Sequence, residues 1–365
     1  MKSPALTFHR LHRQCISRQP FDTPEAVVHW MGAMQAQDYL ASLWATGLRV
    51  SSAAHITEPA IEQAIAARKI IRTWPMRGTL HFVAPEDARW MLKLLTPRVI
   101  SSSAGRHREL GLDEAIFAKS RNLLEAALQG GKRLERAELF RILEAARIAP
   151  GGQRGYHILI YWAQKGLICC GPRQGKQPTF VLLDEWIPDG KAPDPEEALA
   201  MLGERYLRSH GPATVYDFAA WAGLTVGDAR KSFERVKSIA GQMEIGGQAY
   251  WFIEPGMDTI PESPRAWLLP AFDEMLCGYK DRSAILASEH QKATILKNGI
   301  FSPVLLLEGK AAGTWKRTLK RDQVLIHISP FTPIDPAHRE AVLAAAAEYG
   351  TFLGLKAEVE LISRS

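Results

Sequence analysis

The chain is predicted to be an α+β protein: three tandem winged-helix units followed by a small C-terminal β-rich domain, a partial barrel. Three observations lead there. Helical patterns followed by a two-strand hairpin recur three times in the first 258 residues. The hairpin runs are separated by turn residues, including a Gly/Pro/Arg/Lys turn near 171–176 and the pair Gly246-Gly247. From about residue 259, short apolar runs joined by glycine and proline replace the helical period. The boundaries implied are 1–130 for the first unit with its following helices, 131–190 and 191–258 for the next two, and 259–365 for the β-rich domain.

The elements follow in order. A helical pattern covers residues 6–16, and a second helix begins at Pro24, with Asp22 or Thr23 as N-cap and Glu25 in the first turn. It is expected to end near Met34, before a polar loop. A third helix spans residues 58–70, with Ala60, Ile61, Ala64 and Ile65 on one face, and β-rich runs follow at 70–76 and 78–83. Helix, helix, helix, hairpin is the winged-helix order. The second unit repeats it with helices at 136–146 and 154–166, the latter closed by Gly166, and a hairpin at 167–183 whose tip holds Arg173 and Lys176. The third has a helix at 196–209, another within GPATVYDFAAWAGL, a helix at 226–236 capped by Thr225, and a hairpin at 242–253. A proline- and glycine-rich linker at 188–195 separates the second and third units. After a change of character near Pro261, LLPAFDEMLCGYKDRSAIL, SPVLLLEG, AAGTWKR and QVLIHISPF read as strands of a small antiparallel sheet, followed by a helix at 335–349 and a strand at 356–362.

Composition narrows the function classes. The 365 residues are 46% hydrophobic and 23% charged, enough for a substantial core. No apolar run approaches the roughly 18–20 residues of a membrane span, and the His- and Arg-rich start is not a secretory signal, so a cytoplasmic protein is expected. Cys15, Cys169, Cys170 and Cys277 lack ligand spacing and are expected to be reduced and mostly buried, with no metal. The formal charge of +6 suits a polyanionic partner. No Walker loop, G-x-G-x-x-G, H-E-x-x-H, G-x-S-x-G, or H-x-E with a paired P-C-x-x-C occurs. Any chemistry must come from ordinary polar side chains in a groove, and no cofactor is implied.

The most informative segment is Met34-Gln35-Ala36-Gln37-Asp38-Tyr39. On a continuing helix Gln35 and Gln37 would point about 200° apart, whereas on an extended chain residues two apart share a face. Extended, the two carboxamides stand side by side with Ala36 turned to the core. Carboxamides position water and stabilise a developing cation, but they cannot act as a general base. From the residues alone, the pair is either that or the solvated end of a helix.

This segment, with Arg77-Gly78-Thr79-Leu80-His81, GPATVYDFAAWAGL, LLPAFDEMLCGYKDR and Ala312-Gly313-Thr314-Trp315-Lys316-Arg317, resembles the AlkZ/YcaQ winged-helix DNA glycosylases over nearly the whole chain. The resemblance implies three winged helices and a β-domain around a basic cleft for double-stranded DNA carrying alkylated bases, with no obligate protein partner evident. The family signature is a glutamine, an apolar residue, then Gln or Asp, and Gln35-Ala36-Gln37 matches its double-glutamine form. Interstrand-crosslink unhooking is associated with the family. An N7- or N3-alkylated purine is already cationic and leaves without acid catalysis, so an amide pair suits it, whereas uracil would be refused.

Candidate DNA contacts are Arg77, at the first hairpin, and Arg98 and Arg106, in a run that includes His107, Arg108 and Ser101-Ser102-Ser103. Lys316 and Arg317 lie in a stretch with four cations and no acid, where Trp315 is expected in the core. Lys280 and Arg282 either approach a groove or form a local cluster with Asp281. His81 and Trp74 are open to structural or DNA-facing roles. The rival readings are a non-catalytic DNA-binding regulator that reads bases with helix 226–236, which carries acids as well as bases, and a protein-interaction scaffold.

Overall fold

The computed structural model describes residues 4–187, 190, 192–253, 265–297 and 299–362. The fold is α+β, mixing helices and sheets, with a curled C-terminal half-barrel sheet. Residues 188, 189 and 191 of the expected linker, and the expected change near Pro261, lie outside the described residues. The chain forms two compact units, one from residues 1–61 and 200–365, the other from 62–199.

In the first of these units the early elements follow their local signals. The Thr23 side chain accepts from Ala26 N, Pro24 stands at the first helical position, and the helix Pro24–Met31 stops at Gly32, whose φ of 75° favours glycine. The polar loop expected after Gln37 is instead the helix Tyr39–Gly47, capped by Asp38. Its residues Ser42 to Gly47 are all buried, so it shows no amphipathic period to read.

Farther along, Thr214 and Asp217 form a capping box on Val215–Ala222, and Thr225 accepts from Asp228 N to start Val226–Arg235. The strands Ala240–Ile245 and Gln248–Ile253 pair antiparallel around Gly246 and Gly247, whose φ values of 61° and 78° match a two-residue primed turn. Tyr206, Phe218, Trp221, Phe233 and Trp251 pack ring to ring beneath them.

The C-terminal sheet runs in the order Lys356–Leu361, Gln323–Pro330, Lys310–Leu319, Val304–Leu307, Ala266–Leu269. Two expectations need correction here. The last strand pairs parallel, not antiparallel, with Gln323–Pro330, because the helix Arg339–Leu353 carries the chain back over the sheet as a crossover. Residues 274–277, read as part of a β-rich run, form the short helix Glu274–Cys277, started by Asp273 accepting from Met275 N.

The unit 62–199 is built on one sheet in which the strands Thr79–Val83, Ile71–Met76, Ile168–Gln174, Gln177–Leu182 and Leu134–Glu135 are successive neighbours. The two expected hairpins thus share a sheet, joined by the pair Arg72↔Cys170. Leu124, Leu128, Leu139, Leu143, Ile158 and Phe180 form its core, and Trp74, stacked on Phe180 at 6.4 Å, belongs to it. All four cysteines are free and buried.

Candidate active site

Gly32 turns the chain out of the helix Pro24–Met31 into the short strand Met34–Gln35. The segment is extended at that point, and burial alternates along it: Ala36 is buried, Gln35 half-buried and Gln37 exposed. Asp38 turns back to cap the helix Tyr39–Gly47, its Oδ1 accepting from Ala41 N at 3.1 Å. It therefore does not stand in for the aspartate that the Gln-or-Asp signature allows at the position of Gln37.

What holds Gln35 in place comes from 239 residues away: its backbone N–H donates to Glu274 Oε1 at 2.8 Å. Glu274 is buried, and its second oxygen accepts from Trp221 Nε1 at 3.1 Å and lies 3.5 Å from His210 Nε2. Burial lowers the His210 pKa against the pull of Glu274, and Arg49 and Arg10 lower it further. The Gln35 side-chain oxygen is buried and without a hydrogen bond among the described residues. An unpaired buried carbonyl costs roughly 1–3 kcal/mol.

A second buried cluster fixes Glu274 itself. Arg49 and the neighbouring Asp273 are fully buried and form two parallel bonds of 2.9 Å. Burial works to lower the Arg49 pKa, but Asp273, Glu274 and Cys15 together outweigh it and the net shift is upward. Arg49 also donates to Gln14 Oε1 at 2.9 Å; Gln14 donates to the Tyr279 hydroxyl at 3.1 Å, which donates to His210 O at 2.8 Å. Burial pushes the Tyr279 pKa up, so it stays a neutral donor. Arg10 lies 3.7 Å over the Tyr279 ring and 3.5 Å from Asp217, which accepts from Lys280 N at 2.9 Å. Asp273 and Glu274 were passed over in the sequence; the only local signal was an Asp-Glu pair ahead of Met-Leu-Cys, the mark of a helix start.

The expected DNA contacts divide by setting. Lys316 is exposed on the strand Lys310–Leu319, and Lys280 is exposed with its ammonium 5.5 Å from the Tyr216 ring centre. Arg317 is half-buried: its guanidinium donates to the Tyr349 hydroxyl, and burial lowers its pKa while Glu58 and Asp38 oppose that. Arg282 is directed inward, donating to Leu276 O at 2.7 Å and to Lys280 O at 3.3 Å. It braces its own loop. Trp315 is in the core, as expected, donating to Leu269 O at 2.8 Å.

In the other unit, Arg77 has a φ of 55° in the hairpin turn and reaches His81 Nε2 at 3.1 Å, while the buried His81 contacts Thr79 O through Nδ1 at 2.9 Å. Arg98 is exposed on the helix Pro85–Ser102. Arg106 is exposed but bonded to Glu109 at 2.8 Å and Gln153 at 2.9 Å. His107, read as part of a basic run, is buried against Phe117 and Tyr161, and burial lowers its pKa. Arg173, expected as a basic wing tip, is ion-paired with Glu62. Among the described residues no cluster of metal-ligating side chains occurs, and no helix is long and apolar enough to cross a membrane.

The family model that matches this chain makes it a DNA glycosylase, an enzyme acting on N-glycosidic bonds. A family model described as DNA glycosylase AlkZ-like matches residues 28–352, and the chain belongs to that family. An interstrand DNA cross-link repair glycosylase of Streptomyces sahachiroi is 28% identical over 366 residues, covering 93% of this chain and 94% of the other. The solved structure of Streptomyces sahachiroi DNA glycosylase AlkZ matches with a TM-score of 0.80 at 24% identity, covering 99% of this chain and 100% of that one, which establishes the fold.

Proposed function

We propose that this enzyme is a monofunctional glycosylase that hydrolyses the N-glycosidic bond of cationic alkylated purines, of the N7-alkylguanine and N3-alkyladenine type, in double-stranded DNA. Gln35 and Gln37 are its catalytic pair, and interstrand crosslinks built on such bases are unhooked by the same step. The three helix–hairpin modules act as tandem winged helices that scaffold the duplex. The observation that supports this most is the strand Met34–Gln35 running into Ala36-Gln37, with Ala36 buried, Gln37 exposed and the Gln35 carbonyl unpaired among the described residues.

Mechanistically, a cationic purine takes the bonding electron pair and leaves neutral. The sugar left behind is oxocarbenium-like, and carbonyl dipoles aimed at it stabilise the charge. A water accepting an N–H and donating to a carbonyl of the amide pair adds to C1′, and its proton passes to solvent. No proton has to be delivered to the base, so groups that do not titrate suffice. Neutral damaged bases such as uracil lack this activation and are not excised. The helix Val226–Arg235 is a poor base reader for a regulator: Ala229, Ser232 and Phe233 are buried, and Asp228 lies against Thr225 and Lys231.

The test is single-turnover release of 7-methylguanine from duplex DNA. Gln37→Ala is expected to slow release by about 10²-fold or more with duplex affinity nearly unchanged, and Gln35→Ala to do the same or somewhat less. Wild-type rates in both variants, or brisk release of uracil, refute the assignment.

A further inference from the structure

The segment that carries Gln35 and Gln37 leaves the preceding helix between Met31 and Gln35, and a buried carboxylate stands at that departure. In a continuing α-helix the Gln35 N–H would donate to Met31 O, four residues back. It donates to Glu274 Oε1 at 2.8 Å instead. Met31 O is met by the Ser209 hydroxyl at 3.4 Å, which also donates to Arg205 O at 2.8 Å along its own helix. Side chains 239 and 178 residues away thus take both halves of the helical bond. Ala33, Met34 and Ala36 are buried around the departure; they fill space but offer no carboxylate to pair the N–H.

Glu274 is itself firmly held. Its second oxygen accepts from Trp221 Nε1 at 3.1 Å, so each oxygen takes an N–H, as an ionised carboxylate does. The preceding residue, Asp273, caps the same short helix and is locked to Arg49. At the far end of that helix Tyr206 donates to Gly278 O at 2.8 Å, and its ring stacks at 4.8 Å on His210. The His210 ring spans the space between Ser209, 2.8 Å from its Nδ1, and Glu274, 3.5 Å from its Nε2. Ser209 and His210 are 0% exposed and Glu274 1%, so none of the three meets a substrate; they can act only on the backbone they hold.

We propose that Glu274 is a positioning residue for the glycosylase reaction: by taking the Gln35 N–H it keeps residues 35–37 extended and brings the two carboxamides to one face. Ser209 and His210 back it from the Met31 side. The inference rests on the reading of Gln35 and Gln37 as catalytic and adds what holds them in register. Such amides neither titrate nor form a bond to the sugar, so their effect depends on where they stand, and a 1 Å misplacement costs about 10²-fold in rate.

Glu274→Ala removes both acceptors, while Glu274→Gln keeps the shape and one of them. Glu274→Ala is expected to slow single-turnover release of 7-methylguanine roughly ten- to hundred-fold, with duplex affinity nearly unchanged, and Glu274→Gln to fall between it and the wild type. Hydrogen exchange at the Gln35 amide, followed by mass spectrometry, should speed up in the same order. The Gln37→Ala background separates positioning from loss of folded enzyme. Either Glu274 variant should cost clearly less there than in the wild type, because less is left to place, whereas unfolding slows both backgrounds alike. Glu274→Gln carries the comparison by itself if Glu274→Ala does not fold. Unchanged exchange at Gln35, or equal slowing in both backgrounds, overturns the proposal even when Gln37→Ala is inactive. Wild-type release by Gln35→Ala and Gln37→Ala overturns the catalytic pair instead, and the exchange rate at Gln35 then decides whether Glu274 holds the segment.

Discussion

Lys316 and Arg317 are adjacent on one strand and project to opposite settings, because successive side chains alternate across a sheet. Lys316 points into solvent, while Arg317 donates to Tyr349 and packs over its ring. The pair of substitutions Lys316→Ala and Arg317→Ala is expected to weaken duplex binding across all sequences, but the single changes should separate. Lys316→Ala should leave the melting temperature alone and reduce the slope of log affinity against log salt by about 1. Arg317→Ala should lower stability by about 1 kcal/mol through the lost Tyr349 contact. Binding titrations at several salt concentrations, with thermal melts, measure both; an unchanged salt slope for Lys316→Ala removes it from the DNA surface.

At the scale of elements, the end of the helix Tyr39–Gly47 is locked to the start of the helix Glu274–Cys277 by Arg49 and Asp273, and Glu274 passes that constraint to the Gln35 backbone. A buried pair is costly to break singly, because the remaining charge has no partner. Arg49→Met is expected to cost about 3–5 kcal/mol, seen as a lower midpoint in urea. Adding Asp273→Leu should recover part of this. The recovery is incomplete because Asp273 also caps its helix. A single variant as stable as the wild type would show that the pair contributes nothing.

For the whole molecule, burial shapes the response to acid. His12, His107, His157 and His210 all have lowered pKa values, with burial as the largest cause of each. Below the unfolded value of about 6.5, the unfolded chain takes up protons that the folded one resists. Stability is therefore full above that value and falls as the pH drops toward the folded values. Melting temperature is expected to decline between pH 7.5 and 5.5; a level or rising profile contradicts this. The proposed Gln35–Gln37 pair should behave differently: carboxamides do not titrate, so single-turnover release by that pair is expected to stay flat over a range where stability declines.

The sequence by itself determined what short-range chemistry specifies. Thr23 and Thr225 mark helix starts because a hydroxyl accepts an N–H two or three residues on, and Gly246-Gly247 marks a hairpin because only that turn needs two positive φ angles. The alternation of Gln35, Ala36 and Gln37 was also legible, since one strand-like step sets it. The helix Tyr39–Gly47 was not: buried nearly all round, it carries no polar stripe to give its period. Nor were Arg173 with Glu62, or Glu274 under Gln35, since partners 111 and 239 residues apart leave no local trace. Only the tertiary structure decided which charges are surface and which are braces, because a buried charge is stable only where packing delivers its counter-charge.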